Sequence, residues 1–373
     1  MTAQNPAIPG EILVMYGIGL GPTKTVVPTG AAPTGLVETA TLPTVTVAGQ
    51  QAQVIVSALA PNSVGLFQIN FTLPVNIAEG THPVFLEIGG KRSNSVTLPV
   101  GKPLPLVSRV VNGASFGSQG FAVPGSFLTV NGMNITPQEN LAAFPATTVD
   151  GLTVTINNVA APLFHVIPSA NQITLLVPTE LPETGNLNLQ VRTTAGASPN
   201  FALTMLAADP AIFRVSVPST PPKTYAAALL ANTRWLPLPE SSARLLQLPI
   251  NCQADGISPL SFCAQPARRG DILQIFSTGL GKATPGGDPA GMPLITGSLA
   301  PADANPLYLT ILKPVASVGD VAASVLFSGI APGFAGLYQV NIQVPEGAPA
   351  GDEVPMKITM PNGRSDTLPI AVR

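Results

Sequence analysis

Pro9-Gly10-Glu11-Ile12-Leu13-Val14-Met15-Tyr16-Gly17-Ile18-Gly19-Leu20-Gly21 returns later in the chain as Arg269-Gly270-Asp271-Ile272-Leu273-Gln274-Ile275-Phe276-Ser277-Thr278-Gly279-Leu280-Gly281. A weaker copy, Pro124-Gly125-Ser126-Phe127-Leu128-Thr129-Val130-Asn131-Gly132, lies between them. A second stretch follows each first one. Gly65-Leu66-Phe67-Gln68-Ile69-Asn70-Phe71-Thr72-Leu73-Pro74 matches Gly336-Leu337-Tyr338-Gln339-Val340-Asn341-Ile342-Gln343-Val344-Pro345, and Asn171-Gln172-Ile173-Thr174-Leu175-Leu176-Val177-Pro178 fills the middle copy. From that proline to the end of each copy runs about 27 or 28 residues, so each repeat is a folding unit of roughly 100 residues, a small domain rather than a solenoid turn. The chain of 373 residues therefore divides into three tandem domains, 1–101, 102–208 and 209–373. A catalytic site is normally built once, so residues that recur in every copy read as determinants of the fold.

Period-two alternation dominates. Phe67, Ile69, Phe71 and Leu73 point one way and Gln68, Asn70 and Thr72 the other, as do Tyr338, Val340, Ile342 and Val344 against Gln339, Asn341 and Gln343. Other half-buried strands are expected at 44–47, 54–56, 84–88, 152–156, 187–191 and 356–360. Short strands about ten residues apart, punctuated by Gly and Pro, with turn signals at Gly89-Gly90, Asn112-Gly113 and Asn362-Gly363, predict an all-β chain of three immunoglobulin-like β-sandwich domains. The first strand of copy one follows Met1 closely, whereas copy three has a long irregular lead-in, 209–268. The expectation is that 1–101 lacks its first strand and that an upstream portion, with an export signal, is missing; a mis-assigned start codon is the alternative. Helix is expected only at Thr136-Pro137-Gln138-Glu139 through Leu141-Ala142-Ala143, a capping box with an early proline, and on propensity over Tyr225 to Leu230.

Composition excludes several partners and chemistries. The net charge is −2 with 17 scattered basic residues, leaving no positive stripe for nucleic acid. Residues 321–345 are uncharged, but Gly329, Pro332, Gly333 and Gly336 interrupt them and their apolar residues alternate, which argues against a transmembrane segment. Cys252 and Cys263 flank a turn containing Asp255-Gly256 and Pro259, the pattern of a disulfide-stapled hairpin in an oxidising compartment, with two reduced thiols as the alternative. His82 and His165 are remote from each other and from both cysteines, so neither a metal site nor a bound cofactor is expected.

Three motifs invite chemical readings. Gly113-Ala114-Ser115-Phe116-Gly117 fits the G-x-S-x-G nucleophile elbow, but lacks a following helix and an acid and histidine in the required order, so a Gly-bounded turn is the better reading. Gly17-Ile18-Gly19-Leu20-Gly21 and Gly279-Leu280-Gly281 lack the sixth-position Gly, the helix and the Lys-Ser/Thr pair of phosphate loops. Trp235 with Tyr225 is the aromatic cluster outside the alternating pattern, and so the candidate glycan contact, unless both cover the third core.

The third copy, with Pro266-Ala267-Arg268-Arg269-Gly270, Thr278-Gly279-Leu280-Gly281, Gly333-Phe334-Ala335-Gly336-Leu337-Tyr338-Gln339-Val340-Asn341 and Val344-Pro345-Glu346-Gly347-Ala348-Pro349-Ala350-Gly351-Asp352, resembles the Solibacter-type uncharacterised C-terminal domain of acidobacterial secreted proteins. Asn112-Gly113-Ala114-Ser115-Phe116, Pro124-Gly125-Ser126 and Pro210-Ala211-Ile212-Phe213 resemble the unit that precedes it in that family. The resemblance covers about 105–373. It implies immunoglobulin-like sandwiches of the IPT/TIG type and an extracellular or envelope location, and supplies no catalytic residue. The expected role is a non-enzymatic structural or adhesion module of an exported bacterial protein, its partners being the parent protein's other domains or a surface protein or glycan. The alternative is a carbohydrate-binding accessory module.

Overall fold

The computed structural model describes residues 1–2, 5–136, 144–250, 252 and 262–373. Most of the helix expected from Thr136, and the turn between the cysteines, lie outside the described residues. The protein is all-β and built of immunoglobulin-like sandwiches, and it divides into two compact units, Met1–Pro105 and Leu106–Arg373.

In the first unit β1 (Ile12–Gly17), β2 (Thr44–Val47), β3 (Gln50–Leu59), β4 (Phe67–Thr72), β5 (Gly80–Ile88) and β6 (Val96–Val100) run in the order β1-β4-β3-β2-β5-β6. A bulge between Val54 and Val56 lets β3 pair with β2 through its first half and β4 through its second, so one long strand serves both layers. Val45, Val47, Leu13, Phe67, Ile69, Phe71 and Leu86 fill the space between the layers, which is the parity expected from alternation.

The second unit holds two such cores. One is formed by β7 (Leu106–Asn112), β8 (Phe121–Ala122), β9 (Phe127–Met133), β10 (Leu152–Ile156), β11 (Leu163–Ile167), β12 (Gln172–Leu176), β13 (Gly185–Thr193) and β14 (Phe201–Met205), in sheets ordered β11-β12-β9-β7 and β8-β14-β13-β10. Leu128, Val130, Val154, Ile173, Leu175, Leu189 and Val191 lie between them. The other begins in the lead-in. Tyr225 to Leu230, expected helical, is extended: β15 (Ala211–Ile212), β16 (Arg214–Val217), β17 (Lys223–Ala226) and β18 (Ala228–Leu230) precede β19 (Trp235–Leu236), the helix α1 (Glu240–Leu245) and β20 (Cys263–Ala264). Ladder partners override helix propensity here, since β17 pairs with β16, and β18 with β21 (Ile272–Thr278). Then come β22 (Val315–Val318), β23 (Val321–Ile330), β24 (Tyr338–Gln343), β25 (Gly351–Thr359) and β26 (Ser365–Val372), in the order β15-β21-β24-β23-β22-β25-β26. As in the first unit, β23 bulges between Val325 and Phe327.

One feature is shared by the first and third copies and another by all three. Tyr338 is fully buried with Val340 and Ile342, and its hydroxyl donates to Gly281 O at 2.6 Å, while burial pushes its phenol above the ordinary tyrosine range. On the opposite face Gln339 Nε2 donates to Asn341 Oδ1 at 2.8 Å, and Gln68 Nε2 to Asn70 Oδ1 at 2.9 Å. These amides satisfy one another two residues apart. The second feature is a buried alanine two residues ahead of the Pro-Gly or Arg-Gly turn: Ala7 bridges Val100 in parallel, Ala122 pairs with Met205 in parallel and Ala267 bridges Val372 in parallel. All three alanines are buried at these crossings.

Candidate functional site

The second and third sandwiches meet across a dense junction inside the second unit. Phe127, at the start of β9, donates its N–H to Thr278 Oγ1 at 3.0 Å, and that hydroxyl donates onward to Gly336 O at 3.1 Å. Phe127, Leu176 and Ala335 are buried together as a small apolar cluster with Phe213 packed against it. Gly336 has φ +68°, which favours glycine, and a Cβ there would lie 2.4 Å from Leu176 Cδ1 and 3.1 Å from Phe127 Cζ, so a side chain would also displace Leu176 across the junction. Elsewhere Arg214 Nη1 crosses the junction to donate to Ala114 O at 3.0 Å while facing Asp366 at 3.5 Å, and within the third sandwich Arg364 Nη1 donates to Asp209 Oδ1 at 2.8 Å.

Beside Phe127 the junction opens into a cleft of about 410 Å³ lined by Phe127, Phe144, Phe164, Phe213, Phe276 and Phe334, with Leu299 and Leu337. The rings of Phe127 and Phe164 are 4.9 Å apart at their centroids, those of Phe144 and Phe164 5.7 Å, and those of Phe127 and Phe213 6.4 Å with a near edge-to-face tilt. Phe164 and Phe334 remain 48% and 52% exposed, so the rim presents two rings to solvent. His165, beside Phe164 on β11, and Thr174, its partner on β12, are the polar side chains of the lining. Such a surface can desolvate an apolar or aromatic group and offers few hydrogen bonds to fix a polar one.

The residues singled out in the sequence fall elsewhere. Cys252 and Cys263 are joined in a disulfide with Cα atoms 5.8 Å apart. Tyr225 is not a glycan contact: it is fully buried among Val217, Leu238, Ala243 and Ala264, and its hydroxyl accepts a hydrogen bond from Ser242 Oγ at 3.2 Å. Trp235 is half-buried and packs against the third core, paired through β19 with Cys263, so the two rings belong to different clusters and form no platform. Ser115 lies in a turn built by Asn112, whose Oδ1 accepts from the N–H of Ala114 at 2.9 Å and whose Nδ2 donates to Asp209 O at 3.3 Å. The Asn-Gly-Ala-Ser motif is thus a joint between sandwiches. At Gly279, φ +78°, a Cβ would meet Asp209 O at 2.2 Å, which accounts for the Gly-rich stretch without a phosphate. Sequence reasoning missed the phenylalanine cleft, although one signal was available: Phe276 stands on the face of β21 where alternation puts Gln274, and Phe164 interrupts the parity of β11.

Among the described residues no group of three or more His, Cys, Asp or Glu is placed to hold a metal, and no helix is long and apolar enough to cross a membrane. No family model matches the chain, and no curated protein matches it. Similar solved structures include the Bacteroides ovatus surface glycan-binding protein SGBP-B in complex with a mixed-linkage heptasaccharide, at 12% identity over 93% of this chain and 68% of that one, with a TM-score of 0.25. A putative membrane anchored protein from Corynebacterium diphtheriae is 9% identical over 96% of this chain and 89% of that one, with a TM-score of 0.23. The I67–I69 fragment of titin is 8% identical over 98% of this chain and 94% of that one, with a TM-score of 0.17.

Proposed function

We propose that the protein is a non-enzymatic adhesion module of an exported bacterial protein, acting outside the cell or in its envelope, and that the phenylalanine cleft is where it grips its partner. The three domains we assign are 1–101, 102–208 and 209–373, of the Solibacter-type, IPT/TIG-like kind. The observation that carries this reading is the cleft itself: a concave, aromatic, solvent-open surface whose polar side chains are His165 and Thr174. A catalytic site needs a nucleophile, a base and an orienting group within reach of one another. This lining instead offers apolar area, which suits an aromatic or aliphatic side chain of a protein partner, the kind of anchor that dominates protein interfaces.

Carbohydrate binding is the second reading, favoured by the exposed faces of Phe164 and Phe334. Sugar recognition couples ring stacking to hydrogen bonds, and here two side chains could supply the latter. The test is retention of the full chain on two panels, immobilised apolar peptides and insoluble polysaccharides, comparing wild type with Phe164→Ala and Phe334→Ala. Peptide retention lost in both variants, with an unchanged melting temperature, supports the proposal. Retention confined to polysaccharide, and lost in both, would transfer the site to the second reading. Hydrolysis of nitrophenyl esters that disappears in Ser115→Ala would overturn the non-enzymatic role.

A further inference from the structure

Residues 286–307 form a long irregular connection that leaves the third sandwich and returns to it, and midway it reaches the second. The contact falls on the turn that follows β12, at Thr179 and Glu180. Thr179 donates its N–H to Thr296 Oγ1 at 2.8 Å and its hydroxyl to Leu294 O at 2.8 Å. Glu180 adds both carboxylate oxygens: Oε1 accepts from the Thr296 N–H at 3.2 Å, and Oε2 accepts from the Thr296 hydroxyl. One residue further on, Gly297 has φ +84°, and a Cβ there would lie 2.6 Å from Pro145 Cβ, so the connection is pressed against the second sandwich as well as bonded to it.

The same few residues build one wall of the phenylalanine cleft. Leu299 lines it three positions after Thr296, and Ala300 donates its N–H to Phe334 O at 2.9 Å while accepting from the Gly333 N–H at 2.9 Å. The connection is thereby tied to the rim ring Phe334. Phe144 and Phe164 stand on the second sandwich, so the width of the cleft between them and the wall of Leu299 and Phe334 depends on how the connection is held. Leu299 is 59% exposed, and packing alone fixes it weakly. Partial burial acts to raise the Glu180 pKa, but hydrogen bonds from Thr296 and from the Glu180 N–H outweigh it and hold the carboxyl below the ordinary glutamate value. The group is therefore ionised and accepting at neutral pH. Lys282 lines the small space beside Thr179 and Thr296, Glu183 follows on the turn of Glu180, and His165 lies in the cleft.

We propose that Glu180 is a positioning residue for the phenylalanine cleft: by clasping Thr296 it sets Leu299 and Phe334 at the spacing from Phe144 and Phe164 that an apolar side chain of the partner requires. This rests on the cleft being the binding site. Glu180 stands outside the lining, so it acts through the connection and not by contact with the partner. The junction through Phe127, Thr278 and Gly336 is held by bonds of its own, so loss of the clasp loosens one wall of the cleft without parting the sandwiches.

The probe is a dye-labelled peptide, Gly-Phe-Leu-Phe-Gly, titrated against the full chain by fluorescence anisotropy, with amide hydrogen exchange read on the free protein. Glu180→Ala should weaken binding by about threefold to tenfold at neutral pH, the scale expected when hydrogen bonds to one exposed carboxylate are lost. In the same variant the Ala300 and Gly333 amides should exchange faster. Glu180→Gln keeps one acceptor and should bind with intermediate affinity. As pH falls through the range below the ordinary glutamate value, where Glu180 takes up its proton, wild-type affinity should approach that of Glu180→Ala, and Glu180→Gln should not share this loss. Both proteins contain His165, Lys282 and Glu183, so the difference between their pH profiles isolates Glu180. Thr296→Val removes the hydroxyl that Thr179 and Glu180 both use, and should reproduce the loss if Glu180→Ala fails to fold. Binding that Phe164→Ala abolishes and Glu180→Ala leaves unchanged, or unchanged exchange at Ala300 and Gly333, would overturn the clasp and leave the cleft as the binding site. Binding indifferent to Phe164→Ala would overturn the cleft, and the proposal with it.

Discussion

Gly65 and Gly336 occupy the same place in two repeats, with φ +67° and +68°, and their surroundings differ in one respect: nothing lies within 4 Å of a Cβ built at Gly65, whereas at Gly336 it would meet Leu176 and Phe127 across the domain junction. Alanine at either position incurs the left-handed backbone penalty, about 1 to 2 kcal/mol, partly offset in both by the smaller entropy of the unfolded chain. At Gly336 an overpacking cost of about 1 to 3 kcal/mol adds to it, because Leu176 and Phe127 are themselves buried and must shift. Gly65→Ala is therefore expected to cost about 1 kcal/mol and Gly336→Ala about 2 to 4 kcal/mol. Urea unfolding followed by the fluorescence of Trp235, the single tryptophan, reads the second unit alone. Calorimetry of the full chain reads the first. If the two substitutions cost the same, the second and third sandwiches are not packed against each other through Gly336, and the account of the junction fails.

Tyr338→Phe should destabilise the second unit by about 1 to 3 kcal/mol in the same urea assay, since it leaves the Gly281 carbonyl without its buried donor. Because burial raises the Tyr338 pKa, its contribution is complete below the unfolded tyrosine pKa of about 10 and is lost as pH rises beyond it; the alkaline loss of stability should be shallower in Tyr338→Phe, and equal slopes would refute the burial. Cys252→Ser with Cys263→Ser opens a loop with a sequence separation of 11 and should lower the midpoint read by Trp235, by up to about 3 kcal/mol; an unchanged midpoint would show that the disulfide contributes nothing to this unit's stability. A fragment 209–373 should unfold cooperatively, whereas 269–373 loses β15 and β18 from the edge of β21 and should not; a cooperative transition in 269–373 would show the lead-in to be dispensable.

Strand parity was legible from the sequence because burial is imposed on every second residue: Phe67, Ile69 and Phe71 are buried and Gln68 and Asn70 are half-buried, as alternation alone requires. The repeated glycines were legible as turns, but Gly336 also serves the contact between domains, and a contact of that kind leaves no period in the sequence. Tyr225 was misplaced for a related reason. Local propensity favoured a helix, and the ladder to Val215 that makes it a strand, with the cluster around Leu238 that buries its ring, depends on residues up to 39 positions away in Ala264. The phenylalanine cleft gathers rings from Phe127 to Phe334, three on strands and three on the connections between them. Sequence can show that a ring breaks the alternation, but only the meeting of two sandwiches shows that several such rings share one space.

The parallel bridge from Ala7 to Val100, repeated at Ala122 and Ala267, has a mechanical consequence. In the first unit, where the segment of Ala7 and the last strand run side by side in the same direction, the chain enters at one end of the sandwich and leaves at the other. A pull on the two ends then slides the segments past each other, loading the hydrogen bonds together in shear instead of unzipping them one at a time. Any protein held at one end and pulled at the other experiences that load, and here the buried alanine sits at the point where the two segments share it.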